Sequence, residues 1–312
     1  KKIYTLINES SNILLICHRN PDGDTLGSAL ALAHWFKKIA KNYTIYCQDK
    51  PALFLSFLPG LENIKNQEPN PNNYDLIITC DCGDQTQTGV SSENWNQIKS
   101  KIINIDHHFT NTNFGNYNLI SFESASTSAI LYKFFKASLV NIDRLMATCL
   151  LTGLVVDTCN FSNPGTNQEA LEVASRLVAK GAQIRCINNN ILKNKSLPIL
   201  KLWSRILLRL QKNEELGLAW TIITKKDKAE CGVDDLASEG ISNFFNELAD
   251  SNLTLVLEEI EGGFVKGSLR TTTDHIDVSR FAKIMGGGGH QRAAGFRVKG
   301  RLKESDKGWS IV

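Results

Sequence analysis

The sequence has no long apolar run, no Cys-x-x-Cys pair, no internal repeat, no low-complexity segment and almost no net charge. Each absence excludes something. A membrane-spanning helix needs about 20 consecutive apolar residues, and none is found, so no membrane partner is expected. The opening Lys1-Lys2-Ile3-Tyr4 lacks a signal-peptide core. The chain does not begin with methionine, so a short stretch is expected before Lys1. The eight cysteines are scattered, and the closest pair is Cys80-Asp81-Cys82. That spacing excludes a zinc ribbon and a disulfide scaffold, and it fits reduced thiols in a cytoplasmic protein. A formal charge of +3 argues against a strongly basic surface gripping long nucleic acid, though a local basic cleft is compatible with it. What remains is an ordinary soluble composition, 42% hydrophobic and 21% charged, in 312 residues. A chain of that length buries a sizeable core and is expected to divide in two.

The first half alternates short apolar runs with helical patterns. Ile13-Leu14-Leu15-Ile16-Cys17, Tyr43 to Cys47, Leu76-Ile77-Ile78-Thr79-Cys80 and Lys101 to Ile105 read as strands. Leu26, Leu30, Ala33 and Phe36 fall on one face of a helix, and Arg144 to Val156 form another helix capped by Asp143. Such a pattern predicts an α/β fold with a parallel sheet covered on both faces, whose ligands collect beyond the carboxyl ends of the strands. Polar residues gather at that edge: His18, Asp22 and Asp24 after the first run, Asp81 and Asp84 after the third, and Asp106, His107 and His108 after the fourth. Asp157 ends the later helix.

The second half reads differently. Leu218 to Thr224, Leu253 to Glu258, Phe264 to Arg270 and Ala294 to Val298 look like strands, with a helix from Leu236 to Leu248 between the first two. Glu261-Gly262-Gly263 reads as a hairpin turn. Asp277 to Met285 looks like a capped helix that runs into Gly286-Gly287-Gly288-Gly289-His290. The expected organisation is a catalytic domain over 1–185, a helical linker over 186–212 and a smaller α/β substrate-binding domain over 213–312. The amphipathic stretch Ser196 to Lys212 fits either a bridging helix or a core helix of one domain.

A site for two hard divalent ions needs oxygen and imidazole ligands, with one carboxylate able to bridge. The chain offers His18, Asp22, Asp24, Asp81, His107 and Asp157. Pro21 and Gly23 make the His18–Asp24 segment a turn, so its three side chains can converge. Four carboxylates and two neutral imidazoles balance two divalent cations; without them the carboxylates repel. Each piece alone has an ordinary explanation: Asp22-Gly23-Asp24 as a solvated turn, Asp81 as a strand-end cap, Asp157 as a surface charge. Their joint appearance at several strand ends does not. His34 and His275 read as ordinary helix and loop residues.

His18-Arg19-Asn20-Pro21-Asp22-Gly23-Asp24, Asp81-Cys82-Gly83-Asp84, Asp106-His107-His108 and Asp157-Thr158 together resemble the four motifs of the DHH phosphoesterase superfamily. That group includes RecJ exonucleases, family II pyrophosphatases and NrnA-type oligoribonucleases. Val278 to Gly295, with its glycine run, resembles the signature of the DHH-associated domain. Motif order, spacing and length are most similar to the NrnA type. The resemblance implies one ion on His18, Asp22 and Asp81, and a second on Asp24, Asp81, His107 and Asp157. Manganese is favoured over magnesium because two imidazoles suit a softer metal. It also implies that Asp106 orients the neighbouring imidazoles and that His108 faces the phosphate. Cys159 departs from the pattern, since many relatives carry glycine there.

Four consecutive glycines exceed what a helix end requires, so the run is read as a backbone that approaches an anion closely. His290 and Arg270 are the expected phosphate contacts, with Arg292 a weaker candidate. The implied function is hydrolysis of short oligoribonucleotides (nanoRNA) and of pAp by a water that two ions activate. The two domains would act as a ruler, with a hinge at Cys186 to Leu197. Short RNA and nucleotides are the expected partners, and a homodimer is compatible with the family. The alternatives are a cyclic- or linear-dinucleotide phosphodiesterase, a RecJ-like exonuclease and a non-catalytic nucleotide-binding module. A pyrophosphatase is disfavoured because it has no use for the glycine run.

Overall fold

The computed structural model describes residues 1–163, 165–191, 196–233, 241–245, 248, 251–273, 275–305 and 308–312, and only the backbone of Asn243 and His290. The chain divides into two compact units, Lys1–Asn194 and Lys195–Val312. Along the first unit run α1 (Lys2–Glu9), β1 (Asn12–Cys17), α2 (Gly23–Lys38), β2 (Asn42–Tyr46), β3 (Ile64–Lys65), β4 (Leu76–Cys80), α3 (Ser92–Asn96), β5 (Lys101–Asp106), β6 (Tyr117–Ile120), α4 (Thr127–Ala137), α5 (Arg144–Asp157), α6 (Gln168–Ala179) and α7 (Ile184–Ile191).

The strands form one parallel sheet in the order β3-β2-β1-β4-β5-β6. Ile13, Leu15, Ile78, Ile103 and Ile105 point to the face packed by α2, α4 and α5. Leu14, Ile16, Ile77 and Ile102 point to the other face, where Tyr74, Trp95 and Phe114 cover them. Burial on both sides is why these strands are continuously apolar. From β1 the chain steps outward to β2 and β3, then returns to β4 on β1's other side. Crossovers leaving in opposite directions open a crevice beyond the carboxyl ends of β1 and β4, the usual place for a ligand in such sheets.

Close packing of α2 on α5 depends on two glycines. A Cβ at Gly27 would lie 2.3 Å from the Cys149 carbonyl oxygen. One at Gly153 would lie 2.1 Å from Ser128 Oγ and 2.4 Å from Asp24 Oδ1. Gly153, in mid-helix, therefore makes room for a buried carboxylate.

The second unit contains α8 (Leu197–Leu208), β7 (Gln211–Asn213), β8 (Leu218–Ile223), α9 (Lys225–Cys231), α10 (Ile241–Phe244), β9 (Leu253–Ile260), β10 (Phe264–Thr271), α11 (Val278–Ile284), β11 (Gly288–His290), β12 (Ala293–Lys299), β13 (Leu302–Ser305) and β14 (Gly308–Ile311). Its main sheet is mixed, ordered β11-β12-β10-β9-β8-β7, with β8 and β9 parallel and the remaining pairs antiparallel. β13 and β14 form a separate hairpin. Leu202 and Ile206 of α8 are buried with Ile223, Phe245 and Val256, so α8 is a core helix of this unit. The stretch read as a linker thus comprises α7 and α8, with the unit boundary between them. Part of the expected hinge and part of the expected 236–248 helix lie outside the described residues. Among the described residues no helix is long and apolar enough to cross a membrane.

Candidate metal centre

The crevice beyond β1 and β4 collects the polar residues. His18 follows β1, Asp22 caps α2, and Asp24 lies in that helix's first turn. Asp81 follows β4, His107 follows β5, and Asp157 is the last residue of α5. Asp22 Oδ1 accepts from the amides of Asp24 (2.8 Å) and Thr25 (3.1 Å). Asp24 is fully buried, and its oxygens accept from the Thr127 (2.6 Å) and Ser128 (2.9 Å) amides at the amino end of α4. Asp81 has φ 62°, a left-handed conformation that costs a non-glycine residue about 1 kcal/mol or more. Strain of this kind persists where the surroundings fix it; here the Asp81 amide donates to the Ile105 carbonyl at 2.8 Å.

Asp81 stands at the centre. His18 Nε2 lies 3.5 Å from its Oδ2 and 3.6 Å from Asp22 Oδ1. His107 Nε2 lies 3.6 Å from Asp81 Oδ1 and 3.0 Å from Asp157 Oδ2. The Nδ1 atoms of these rings face the carbonyls of Arg19 (2.8 Å) and Ser124 (3.3 Å), which only accept. Nδ1 therefore carries a proton, leaving Nε2 to face the carboxylates. Among the described residues, three groups of potential ligands have atoms within 4.8 Å of one another: His18, Asp22 and Asp81; Asp24, His107 and Asp157; and Asp81, His107 and His108. In the third group His108 Nδ1 is already held by Asp106 Oδ1 at 2.8 Å. Asp84 stands apart, capping a turn through the amides of Thr86 and Gln87.

One atom tests whether the donor set fits a cation. Asp157 Oδ2 is buried, and no hydrogen bond of acceptable geometry reaches it although His107 Nε2 is 3.0 Å away. Buried oxygens without partners are rare and costly. A carboxylate oxygen and an imidazole nitrogen facing one gap suit a cation better than they suit each other, so the residues present fit a divalent metal.

The electrostatics agree. Burial, then the neighbouring Asp81, pushes the Asp24 carboxyl up to about 7. Burial and Asp24 push Asp157 well above the ordinary range. Burial opposes ionisation of Asp22 too, but the His18 ring and two backbone amides outweigh it and hold the group low. Burial likewise opposes charge on the imidazoles. Asp22 and Asp81 nevertheless push His18 up to about 11, and Asp157 with Asp81 pushes His107 up to about 10. In the metal-free protein, protons occupy a pocket built for positive charge.

Residues 12–154 match the DHH family, N-terminal domain, and residues 216–307 match the DHHA1 domain. The chain belongs to the DHH family. It is 28% identical over 289 residues to the bifunctional oligoribonuclease and PAP phosphatase NrnA of Thermus thermophilus, covering 92% of this chain and 84% of the relative. A probable manganese-dependent inorganic pyrophosphatase of Enterococcus faecalis is 25% identical over 54% of each chain. An exopolyphosphatase-related protein from Bacteroides fragilis superposes with a TM-score of 0.91 at 24% identity, covering 98% of this chain and 92% of that one. It shares the fold.

The DHHA1 unit explains most of its glycine run locally. Gly286, at φ 75°, ends α11: its amide donates to Lys283 O (3.0 Å) and the next amide to Ala282 O (2.7 Å). This double bond is the Schellman arrangement that favours glycine. A Cβ at Gly287 would lie 2.1 Å from Gly295 O, and one at Gly289 would lie 2.5 Å from Ala294 Cα. Only Gly288 has open space around it and an ordinary φ. β11 is an edge strand, and its register places His290, Ala293 and Arg270 in one row across β11, β12 and β10. The His290 side chain lies outside the described residues. Arg270 is half-buried, its Nη1 donating to the Leu269 carbonyl at 2.9 Å, and burial lowers its pKa.

Several residues that serve the centre carry only weak signals in the sequence. Thr127 and Ser128 act through backbone amides, and Ser124 through a carbonyl. Gly153 alone has a readable mark, as a glycine inside an apolar helix. Beyond Asp157, Cys159 (φ 48°), Asn160 (φ 59°) and Phe161 (φ 63°) are all left-handed. Replacing Cys159 with glycine is expected to stabilise the protein by about 1 kcal/mol, since the strain removed exceeds the entropy glycine adds to the unfolded chain. The denaturant midpoint checks this, and an unchanged or lower midpoint would refute it.

Proposed function

We propose that this DHH protein hydrolyses short oligoribonucleotides and pAp. The gathering of His18, Asp22 and Asp81 in one group and of Asp24, His107 and Asp157 in another, with the buried Asp157 Oδ2 lacking a hydrogen bond, carries the chemistry. Similarity to an NrnA over 92% of this chain and 84% of that relative supports the substrate class. His18, Asp22 and Asp81 would hold one divalent ion, and Asp24, Asp81, His107 and Asp157 the other. Manganese suits this mixed oxygen and nitrogen set better than magnesium. Bound ions supply positive charge for the phosphoryl oxygens and make water a nucleophile near neutral pH.

The chain's own residues do the rest. The sheet edge fixes the carboxylates, so the phosphate meets an arranged field rather than mobile side chains. His108 is bound to Asp106 through Nδ1, which leaves Nε2 to donate a proton to the leaving oxygen. In the DHHA1 unit, Arg270 and the Gly286–His290 backbone are the proposed phosphate contacts. Within the run that contact falls to Gly288, because Gly286, Gly287 and Gly289 have structural reasons to be glycine.

The test offers manganese-loaded protein pAp, di- to pentaribonucleotides, a cyclic dinucleotide, pyrophosphate and long single-stranded DNA. Turnover of the first two is expected. Preference for pyrophosphate would overturn the substrate assignment, and preference for the cyclic dinucleotide would favour the rival reading. Arg270→Ala and Gly288→Ala are each expected to raise KM about tenfold with kcat nearly kept, the loss of one charge-assisted or close backbone contact. Unchanged KM values would remove both residues from the phosphate site.

A further inference from the structure

We propose that Asn111 is a positioning residue for the reaction, acting through Asp106 on His108. The inference rests on the reading of His108 as the group that faces the leaving oxygen.

Asp106 ends β5 and is fully buried. One carboxylate oxygen accepts from His108 Nδ1 at 2.8 Å, and the other accepts from Asn111 Nδ2. The same amide nitrogen reaches Asn104 Oδ1 (2.9 Å) and the Cys82 carbonyl (3.1 Å). Asn104 is also fully buried; its Nδ2 donates to Thr79 Oγ1 and to Cys82 O, both at 2.9 Å. A polar chain therefore runs from the interior of the sheet, Thr79–Asn104–Asn111–Asp106, and ends at His108.

Two features separate this chain from ordinary loop chemistry. Asn104 sits between Ile103 and Ile105, where an aliphatic residue would complete the strand without burying an amide. The described bonds of that amide go to Thr79 on β4, to the Cys82 carbonyl just after it, and to Asn111 in the loop that follows the Asp-His-His triplet. The turn also has its own closure, from the Asn111 backbone amide to the His108 carbonyl at 3.0 Å. It does not need the side-chain amide to form. What the side chain adds is a donor for the second oxygen of Asp106. Without Asn111, Asp106 keeps the His108 ring and the His108 backbone amide but loses the donor on its second oxygen, which leaves the carboxylate freer to turn. His108 projects from a loop with its side chain 37% exposed, and of the two carboxylates near its Nδ1, Asp106 at 2.8 Å holds the ring more closely than Asp81 at 3.5 Å.

The competing explanation is local. Asn111 Oδ1 accepts from the Asn113 amide at 2.7 Å, an Asx turn that asparagine and aspartate form equally well. Asn111→Asp separates the two. It keeps the Asx acceptor and replaces the donor toward Asp106 with a second carboxylate oxygen. If Asn111 positions His108, both Asn111→Ala and Asn111→Asp lower kcat by about 10- to 100-fold, the usual cost of losing an outer partner. KM and manganese affinity stay within about threefold of wild type, since Asn111 touches no residue of the ion-holding set. A second readout needs neither metal nor turnover. In metal-free wild-type protein the His108 Nδ1 proton, assigned by its loss in His108→Gln, should appear in imidazole nitrogen NMR as slowly exchanging, and both Asn111 variants should lose it. Wild-type kcat in Asn111→Asp, a loss confined to KM, or a protected Nδ1 proton in the variants would overturn the proposal. If wild-type protein hydrolyses no phosphate ester, the functional reading fails, while the NMR comparison still decides the coupling of Asn111 to His108.

Discussion

Asp81→Ala is expected to lower kcat for phosphate-ester hydrolysis by about a thousandfold, roughly 4 kcal/mol of transition-state stabilisation. No other carboxylate in the centre faces both imidazoles. Its Oδ2 points to His18, and its Oδ1 to His107 and to the Thr127 hydroxyl, which donates at 2.9 Å. Loss of Asp22 or Asp157 would remove a ligand from one of the two proposed ion sets; loss of Asp81 would remove one from both. Asp81→Asn keeps the volume and serves as the folding control. Manganese titration should show binding weakened in both variants. Wild-type turnover in either variant would remove Asp81 from the centre.

How much of this was legible depended on where each signal lies. β1, β4 and β5 are near-continuous apolar runs, and their burial on two faces leaves no other reading for so short a stretch. β6, Tyr117-Asn118-Leu119-Ile120, carries no such run because it is a half-buried edge. Placing the site needed only the motifs and the rule that ligands gather at carboxyl strand ends. What the sequence hid was the bracing: the amides that hold Asp24, the space at Gly153 and the amide chain behind Asp106. Backbone donors have no residue identity, and Asn104 looked like one polar interruption of a strand. The glycine run was legible as unusual but not as divided, because which glycine meets β12 is decided by a pairing far along the chain.

Stripped of metal, the protein is expected to lose stability as pH rises from about 5 to about 9, and manganese is expected to stabilise it most at the upper end. Asp24 ionises near 4 in the unfolded chain and near 7 in the fold. A raised pKa gives stability that is complete below the unfolded value and is lost as pH climbs through the folded one. Asp157 shifts in the same direction. His18 and His107 titrate near 6.5 when unfolded and near 11 and 10 when folded. Their contribution is therefore complete below about 6.5 and lost as pH rises through 10 and above. Asp22 runs the other way, its stability lost only as pH falls below the ordinary carboxylate range. Above pH 5 the shifted groups thus pull together. Cations replace the protons these groups hold, and metal binding releases them, so affinity rises with pH. At a manganese concentration about 100 times its Kd the gain is ~2.7 kcal/mol. Thermal unfolding at pH 5.5, 7 and 8.5, with chelator and with manganese, reads both effects. Asp157→Asn, which removes one raised carboxyl, should flatten the slope of the chelated series. A chelated protein most stable at pH 8.5, or a manganese effect largest at pH 5.5, would show that these groups do not form a cation pocket.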